Sequence, residues 1–362
     1  MIDLERLCKE IEWDDRFWNP TTLITKKDSN GNAVGVFVCC SNRTGGKTYG
    51  IGQILMRYAM VHDGKFGLIC RVQDDLGSIA AGVLGQVLED QYPDWNVVEK
   101  VSKTKKFSEI YMVPKPGKDL EKKKIGYVFS LNSAFSLKDY SSFFTDCDIL
   151  FRDEFQAERY LSEEVLKFQV LHGSVARGGE TGVRYVPAIM CSNSLNPNNP
   201  YFDTWRVNTR IHDGVKFLRN PGLVIEFYEN KYAQEQQEKD PFNVAFSMSD
   251  EIKATTSNEW LDNPWNCVMK PGKVWGKSLY ICTFINGKKS YGVRWYDDVG
   301  FYYVSRSIDK QCPSVYSLKL DDLESVPVVR TGQIFVRLKR FYSLGKVRFS
   351  DIGVKNDILT IL

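Results

Sequence analysis

The stretch Ala33–Met60, AVGVFVCCSNRTGGKTYGIGQILMRYAM, constrains this chain more than any other. It opens on an apolar run of strand type (Val34, Val36, Phe37, Val38) and turns through Ser41-Asn42-Arg43-Thr44-Gly45-Gly46-Lys47-Thr48. It leaves with Ile51, Ile54, Leu55 and Tyr58 at helical spacing. Strand, glycine-containing loop ending in Gly-Lys-Thr, then helix is the setting a phosphate-binding loop needs. The backbone N–H groups of such a loop and the N-terminus of its helix present partial positive charge to phosphates. In that reading Asn42, Arg43, Thr44, Gly45 and Gly46 surround the nucleotide phosphates. Lys47 reaches the β- and γ-phosphates, and the Thr48 hydroxyl binds Mg²⁺. The first position of G-x-x-x-x-G-K-[ST] is Ser41 rather than glycine, and Gly-Gly-Lys-Thr alone also suits a plain turn. The rest of the chain has to decide.

At 362 residues the chain is long for one core, so two domains are the expectation. A content of 43% hydrophobic and 26% charged residues fits a globular protein. A net charge of +3 means that any contact with nucleic acid must come from local basic patches. Nine scattered cysteines without a C-x-x-C pair, and three histidines, speak against a zinc site and for a reducing cytosol. No apolar run approaches the roughly 20 residues of a membrane span, and no signal peptide is visible. A soluble cytoplasmic protein with no membrane partner is expected.

Residues 1–32 carry an amphipathic helix (Leu4, Leu7, Cys8, Ile11), then Trp13, Phe17, Trp18, Asn19 and Pro20. Aromatics just ahead of a phosphate loop either stack on adenine or cap the sheet. A strand at Phe66–Val72 and a helix at Leu76–Leu88 follow the loop helix. Residues 105–131 hold two strands, around Ile110–Val113 and Ile125–Leu131, which read as a hairpin inserted in the fold. Their lysine-rich turn (Lys118, Lys122, Lys123, Lys124) reads as solvated.

Cys147–Phe155 then places a short apolar strand ahead of two adjacent carboxylates. The C-terminal end of a strand is where ligands bind in a parallel α/β sheet. Asp153 is expected to hold Mg²⁺ through water, and Glu154 to orient or deprotonate the attacking water. An Asp-Glu pair alone is weak. After an apolar strand and downstream of a phosphate loop, it points to an NTPase. A helix over Glu163–His172, the loop Gly173–Gly179 and a strand Val186–Cys191 follow, ending in Ser192-Asn193. Asn193 is either a γ-phosphate sensor at a strand tip or a turn-former within SNSLNPNNP. Arg177, flanked by small residues, is a candidate finger for a neighbouring subunit's phosphate.

Residues 213–258 read as a linker or small helical bridge: a strand at Gly222–Tyr228, charged helix-prone Glu229–Asp240, and a polar stretch with Thr255, Thr256 and Ser257. From about Trp260 the pattern is β, with strands at Leu279–Ile285, Tyr291–Tyr296 and Gly300–Val304 and a hairpin signal at Asn286-Gly287. The closing segments carry Arg330, Arg337, Lys339, Arg340, Lys346 and Arg348. They form either a surface for a nucleic-acid backbone or a solvated face.

In this order the motifs resemble the DNA-packaging ATPases of phi29-like phages, the encapsidation proteins or terminase-like motors. The resemblance rests on the Arg43-containing loop ending Gly-Gly-Lys-Thr, on Asp153-Glu154-Phe155, and on Cys191-Ser192-Asn193 followed by Asn199-Pro200-Tyr201-Phe202. Further along it rests on Tyr280, Asn286-Gly287, Gly292-Val293, Tyr316-Ser-Leu and Asp321-Asp322-Leu323. It implies an α/β fold: a P-loop ATPase domain of the additional-strand, conserved-glutamate (ASCE) type with a central mainly parallel sheet over 1–212. A bridge over 213–258 and a smaller vestigial RNase H-like α+β domain over 259–362, binding DNA or portal, complete it.

The same resemblance implies ATP and Mg²⁺ and a homomeric, pentameric ring on the portal vertex of an empty procapsid in the host cytoplasm. Hydrolysis would drive double-stranded DNA inward, and whether a structural RNA adaptor takes part stays open. Carried over by position, Lys47 and Thr48 bind phosphate and Mg²⁺, Asp153 and Glu154 are the metal and catalytic carboxylates, and Asn193 lies in the coupling motif. Arg177 matches a trans-acting arginine finger and Lys138 a lysine acting across the subunit interface. Ser41 departs from the glycine that the family tends to keep. The strand Leu279–Ile285 contains no carboxylate, and Asp297, Asp298 and Asp309 fall in turns, so no nuclease activity is expected. Two other readings fit fewer features: a different ASCE translocase or helicase, and a non-catalytic DNA- or capsid-binding module with a degenerate loop.

Overall fold

The structure, a computed structural model, describes residues 2–157, 160–178, 182–193, 199–211, 215–247, 249, 267–287, 289–317 and 332–359. Two compact units account for the chain, one from 1–205 with 212–261 and the other from 206–211 with 262–362.

The first unit is built on a nine-stranded sheet. Its strands are β1 (Val36–Ser41), β2 (Lys65–Cys70), β3 (Trp95–Val101), β4 (Phe107–Pro114), β5 (Lys123–Ser130), β6 (Cys147–Arg152), β7 (Ala188–Asn193), β8 (Phe217–Asn220) and β9 (Leu223–Tyr228). Their order is β3-β4-β5-β2-β6-β7-β1-β9-β8. From β5 to β9 the neighbours are parallel, and β3, β4 and β8 join antiparallel at the edges. The parallel strands are near-continuous apolar runs such as VFVCC and AIMC, buried on both faces, as a sheet flanked by helices demands. Helices Lys47–Val61 and Ile79–Gln91 pack on it through Ile51, Ile54, Leu55, Leu84 and Val87. β7 lies between β1 and β6, so one additional strand separates the loop strand from the strand ending in Asp153-Glu154. Ser41 and Asn193 are register partners, so β1 and β7 end level.

Two expectations are corrected here. The strands around Ile110 and Ile125 do pair antiparallel as a hairpin, but it is not an insertion: β5 pairs in parallel with β2 inside the central sheet, because Ile125–Ser130 are buried throughout. Its antiparallel partner β4 and the unforeseen β3 extend that sheet. Nor is 213–258 a linker over its described part, since β9 lies beside β1 in parallel with Leu223, Val224 and Ile225 buried. The helix Lys231–Lys239 follows it, capped by Asn230. The first unit therefore runs past 212, and residues 206–211 group with the second. The lysine turn is matched by acids, Lys118 with Asp94, Lys123 with Asp63 and Lys124 with Glu109.

The second unit holds β10 (Ser278–Asn286), β11 (Lys289–Tyr296), β12 (Phe301–Ser305), β13 (Val315–Ser317) and β14 (Val347–Phe349). β10 to β12 form an antiparallel meander, β13 runs parallel to β10, and β14 parallel to β12. Helices Gln333–Ser343 and Ile352–Leu359 press Phe335, Leu338, Val354 and Ile358 onto Cys282, Phe284, Val293 and Val304, an α+β layer. Arg337 lies over the Tyr302 and Phe341 rings and Arg348 over Phe301, while Lys339, Arg340 and Lys346 are exposed. Thr255–Ser257, Trp260, Asp321-Asp322-Leu323 and Arg330 lie outside the described residues, as do Gly179 and 194–198. Among the described residues no helix is long and apolar enough to cross a membrane.

Candidate active site

The phosphate loop leaves β1 and runs directly into the helix that begins at Lys47. Gly46 takes φ +83°, and a Cβ there would come within 2.8 Å of the Phe17 Cβ, so both backbone and space require glycine. Lys47 is 7% exposed. Its ammonium donates to Ser41 Oγ (2.9 Å), Asn42 O (2.9 Å) and Asn193 Oδ1 (3.1 Å), with Ser41 O at 3.3 Å. The loop is tied to the end of β9 by a reciprocal amide pair. Asn42 Nδ2 donates to Asn230 O at 2.9 Å, and Asn230 N donates to Asn42 Oδ1 at 3.0 Å. Asn230 Oδ1 also caps the following helix at Ala233 N, so one buried residue fixes two elements, the loop through its backbone and the helix through its side chain.

At the end of β6, Thr48 Oγ1 donates to Asp153 Oδ2 at 2.5 Å, and Asp153 Oδ1 accepts from Glu154 N at 3.0 Å. Glu154 sits in the left-handed region at φ +49°, a conformation that a non-glycine residue adopts at a cost. Desolvation raises the Asp153 carboxyl above its ordinary range, against the pull of the Thr48 hydroxyl, Glu154 N and Lys47. Glu154 is raised by desolvation and then by the Asp153 charge beside it, with Lys47, Arg43 and Arg71 opposing. A hydroxyl and a carboxylate oxygen converging this closely form a hard oxygen-donor pair, the kind that Mg²⁺ takes together with phosphate oxygens.

Behind the carboxylates lies a buried charge cluster. Glu164, at the start of helix Glu164–Val175, bonds Arg152 and Arg71, and its Oε2 accepts from Leu161 N at 2.8 Å. Arg152 also donates to the Tyr201 hydroxyl, and Arg71 to Phe155 O at 3.1 Å. Burial alone would raise the Glu164 carboxyl; the Arg152 charge and the Arg71 bond hold it below its ordinary range. On the other side of the loop a cavity of about 590 Å³ opens between Trp13, Phe17, Gly46, Tyr49, Gln53 and Gln91.

The family model for podovirus DNA encapsidation proteins (Gp16) matches residues 14–358. The chain belongs to this family. Among solved structures it is similar to the bacteriophage Phi-29 viral genome packaging motor assembly, at 18% identity and a TM-score of 0.63, with 96% of this chain and 98% of that one covered. It is also similar to the Phi-28 gp11 DNA packaging motor, at 17% identity and a TM-score of 0.55, with 96% of each chain covered. At these identities the likeness is one of fold. Comparison with curated proteins gives no match. Family membership and the phosphate-loop site together make this an ATP-driven genome-packaging protein.

In this encapsidation protein Asn42, Arg43, Thr44, Gly45, Gly46, Lys47, Thr48, Asp153, Glu154 and Asn193 gather at the C-terminal ends of β1, β7 and β6. Arg177 and Lys138 do not join them. Arg177 is exposed, donates to Ser141 Oγ at 3.3 Å and bridges to Val183. Ser141 belongs to the same 3₁₀ segment, Lys138–Phe144, that begins with Lys138. Arg184, close behind, bonds Asp148 and Cys147 O at the start of β6. Arg177 thus stands toward the N-terminal end of β6, a strand length of roughly 20 Å from the carboxylates at its other end.

Sequence reasoning missed Asn230, Arg71 and Glu164. Asn230 had a signal, an asparagine ahead of a helix-prone run, but its hold on Asn42 is 188 residues away in the chain. Arg71 and Glu164 had none beyond being charged residues beside apolar runs.

Proposed function

We propose that this protein hydrolyses ATP at the subunit interfaces of a homomeric, pentameric ring. The ring would sit at the portal vertex of a procapsid in the host cytoplasm and move double-stranded DNA inward. The observation that carries the ATPase reading is the joining of Lys47 to Asn193 and of Thr48 to Asp153 across β1, β7 and β6. Asn42 to Gly46 cradle the phosphates through their backbone, and Lys47 turns to the β- and γ-oxygens. Thr48 and Asp153 would hold Mg²⁺, which neutralises phosphate charge when bound. Glu154, standing exposed beside Asp153, orients the attacking water and accepts its proton. Asn193, in contact with Lys47 at the tip of β7, senses the γ-phosphate. The adenine takes the cavity between Trp13, Phe17 and Tyr49, where aromatic faces and Gln side chains meet.

Arg177 and Lys138 complete the neighbouring subunit's site, since both are exposed and, among the described residues, neither bonds the loop or the carboxylates of its own chain. The second unit grips DNA or portal without cutting: β10 offers no carboxylate between Leu279 and Ile285, and Lys339, Arg340 and Lys346 are exposed. Contacts of that kind address phosphates, so binding should be sequence-independent and fall steeply with salt. The test is phosphate release by the purified full chain, with and without DNA, beside a Lys47→Ala control. DNA-stimulated release that Lys47→Ala abolishes supports the reading. Equal release by both proteins overturns it.

A further inference from the structure

We infer that Ser41, standing where such loops carry glycine, parks Lys47 on the protein's own oxygens in competition with phosphate, and that Gly45 is the compensating glycine that makes room for it. The inference rests on the reading of this loop as an ATP site. An ammonium group has three N–H donors. Those of Lys47 are all taken up by protein oxygens, and the hydroxyl of Ser41, itself fully buried, is one of the two nearest at 2.9 Å. That hydroxyl in turn donates to Asn42 O at 3.1 Å, so it accepts from the lysine and bonds the loop at once. With glycine at 41, only the longer contact to Ser41 O at 3.3 Å is left to replace it. Phosphate must therefore draw Lys47 off a partner that a loop with the usual glycine does not provide.

The two glycines of the loop do different work. Gly46 has positive φ, whereas Gly45 is not among the residues with positive φ. A Cβ on Gly45 would lie 3.2 Å from Ser41 Oγ, tighter than its next neighbours, Asn42 O at 3.5 Å and Asn230 Cβ at 3.6 Å. Gly45 is small because the Ser41 hydroxyl lies beneath it. The absence of a side chain that the motif asks for at its first position has moved four residues on, and the two positions are coupled. The consequence is a weaker grip on β- and γ-phosphates and a loop that re-forms when nucleotide leaves. Ser41 is in this sense a positioning residue that acts through Lys47.

The test is isothermal titration of ATP and of AMP into the full-length chain in a Glu154→Gln background, which prevents turnover. Ser41→Ala removes the hydroxyl while keeping the Cβ. It should bind ATP about three- to tenfold more tightly, the range a typical net hydrogen bond spans, since Ser41 O stays within reach of the ammonium. AMP, which lacks the phosphates that Lys47 reaches, should bind as before. Gly45→Ala should weaken ATP binding, and Ser41→Gly with Gly45→Ala should restore it. If Ser41→Ala binds ATP no better than its parent while Lys47→Ala abolishes binding, the parking role is wrong and the ATP site stands. If the double variant is as impaired as Gly45→Ala, the coupling is wrong. If the parent binds no ATP at all, the ATP-site reading fails and the inference with it.

Discussion

Thr48 Oγ1 lies 2.5 Å from Asp153 Oδ2, joining the first helical turn of the phosphate loop to the end of β6 across 105 residues of sequence. Among the described residues the hydroxyl has no other hydrogen-bond partner, and the carboxylate is held in place by Glu154 N. Both oxygens are thus held by the protein's own contacts, which limits the reorganisation that holding a cation requires. Thr48→Ala and Asp153→Asn should each lower Mg²⁺-dependent ATP turnover by about 100-fold or more, while Thr48→Ser stays near wild type. Steady-state phosphate release across a Mg²⁺ titration measures this. Wild-type turnover by Asp153→Asn would remove it from the cation site.

Glu154 is offered to solvent beside Asp153 by a left-handed backbone that costs stability. That arrangement suits a group that must meet a water molecule rather than pack. Glu154→Gln keeps size and shape and loses the base, so it should retain ATP binding and lose about 10²- to 10⁴-fold in turnover. Titration calorimetry and phosphate release on the same preparation separate the two effects. A parallel loss of binding would mean that Glu154 supports the loop instead.

Arg177 stands about a strand length from its own carboxylates, so its action on phosphate has to be on a neighbour's. Arg177→Ala and Glu154→Gln proteins should each be nearly inactive alone. Mixed, they should recover part of the wild-type rate, because one kind of interface then carries both Arg177 and Glu154. Phosphate release over a range of mixing ratios reads this directly, and no recovery at any ratio argues that Arg177 acts otherwise.

What the sequence made legible follows from where the chemistry is local. The loop Ser41–Thr48 and the pair Asp153-Glu154 are contiguous, and backbone requirements dictate their residue types, so they stand out. β9 was read as a strand but not as a member of the central sheet, because its partner β1 lies almost two hundred residues earlier and the helix Lys231–Lys239 behind it is a charged surface element. Composition alone makes such a helix look like a bridge. β3 was missed because an edge strand alternates half-buried and exposed positions and carries Glu99 and Lys100. The β4–β5 turn is solvated as read, but the ion pairs of its lysines were not legible, because the acid partners Asp63 and Asp94 are elsewhere in the chain.

The Glu164 cluster carries a stability prediction. Its carboxylate is wholly buried and answers two cations, of which Arg152 is 2% exposed. Glu164→Ala leaves Arg152 charged and unpaired in the interior, which typically costs about 3–5 kcal/mol. Glu164→Gln, which keeps an acceptor, should lose less. Urea denaturation followed by tryptophan fluorescence measures both, and a loss under about 1 kcal/mol for the alanine variant would show that water reaches the cluster.

Glu226 gives a pH dependence with a definite sign. It lies buried in β9, accepting from Trp18 Nε1 at 2.9 Å and from the Thr22 hydroxyl at 2.8 Å. Burial pushes its carboxyl above the ordinary value of 4.5, and these two donors only partly oppose the rise. The folded chain therefore holds this proton at pH values where the unfolded chain has lost it, so stability falls as pH rises through that interval and is level below it. Glu226→Gln is neutral at every pH and keeps an acceptor for Trp18. Relative to that variant, wild type should be at its best near pH 4 and lose ground as pH rises, before levelling off once the folded carboxyl ionises. Thermal melts of the two proteins in matched buffers from about pH 4 to about pH 8 follow the gap. A gap moving in favour of wild type with rising pH would mean that Trp18 and Thr22 outweigh burial, and that the segment ahead of the phosphate loop is held by a stabilised carboxylate.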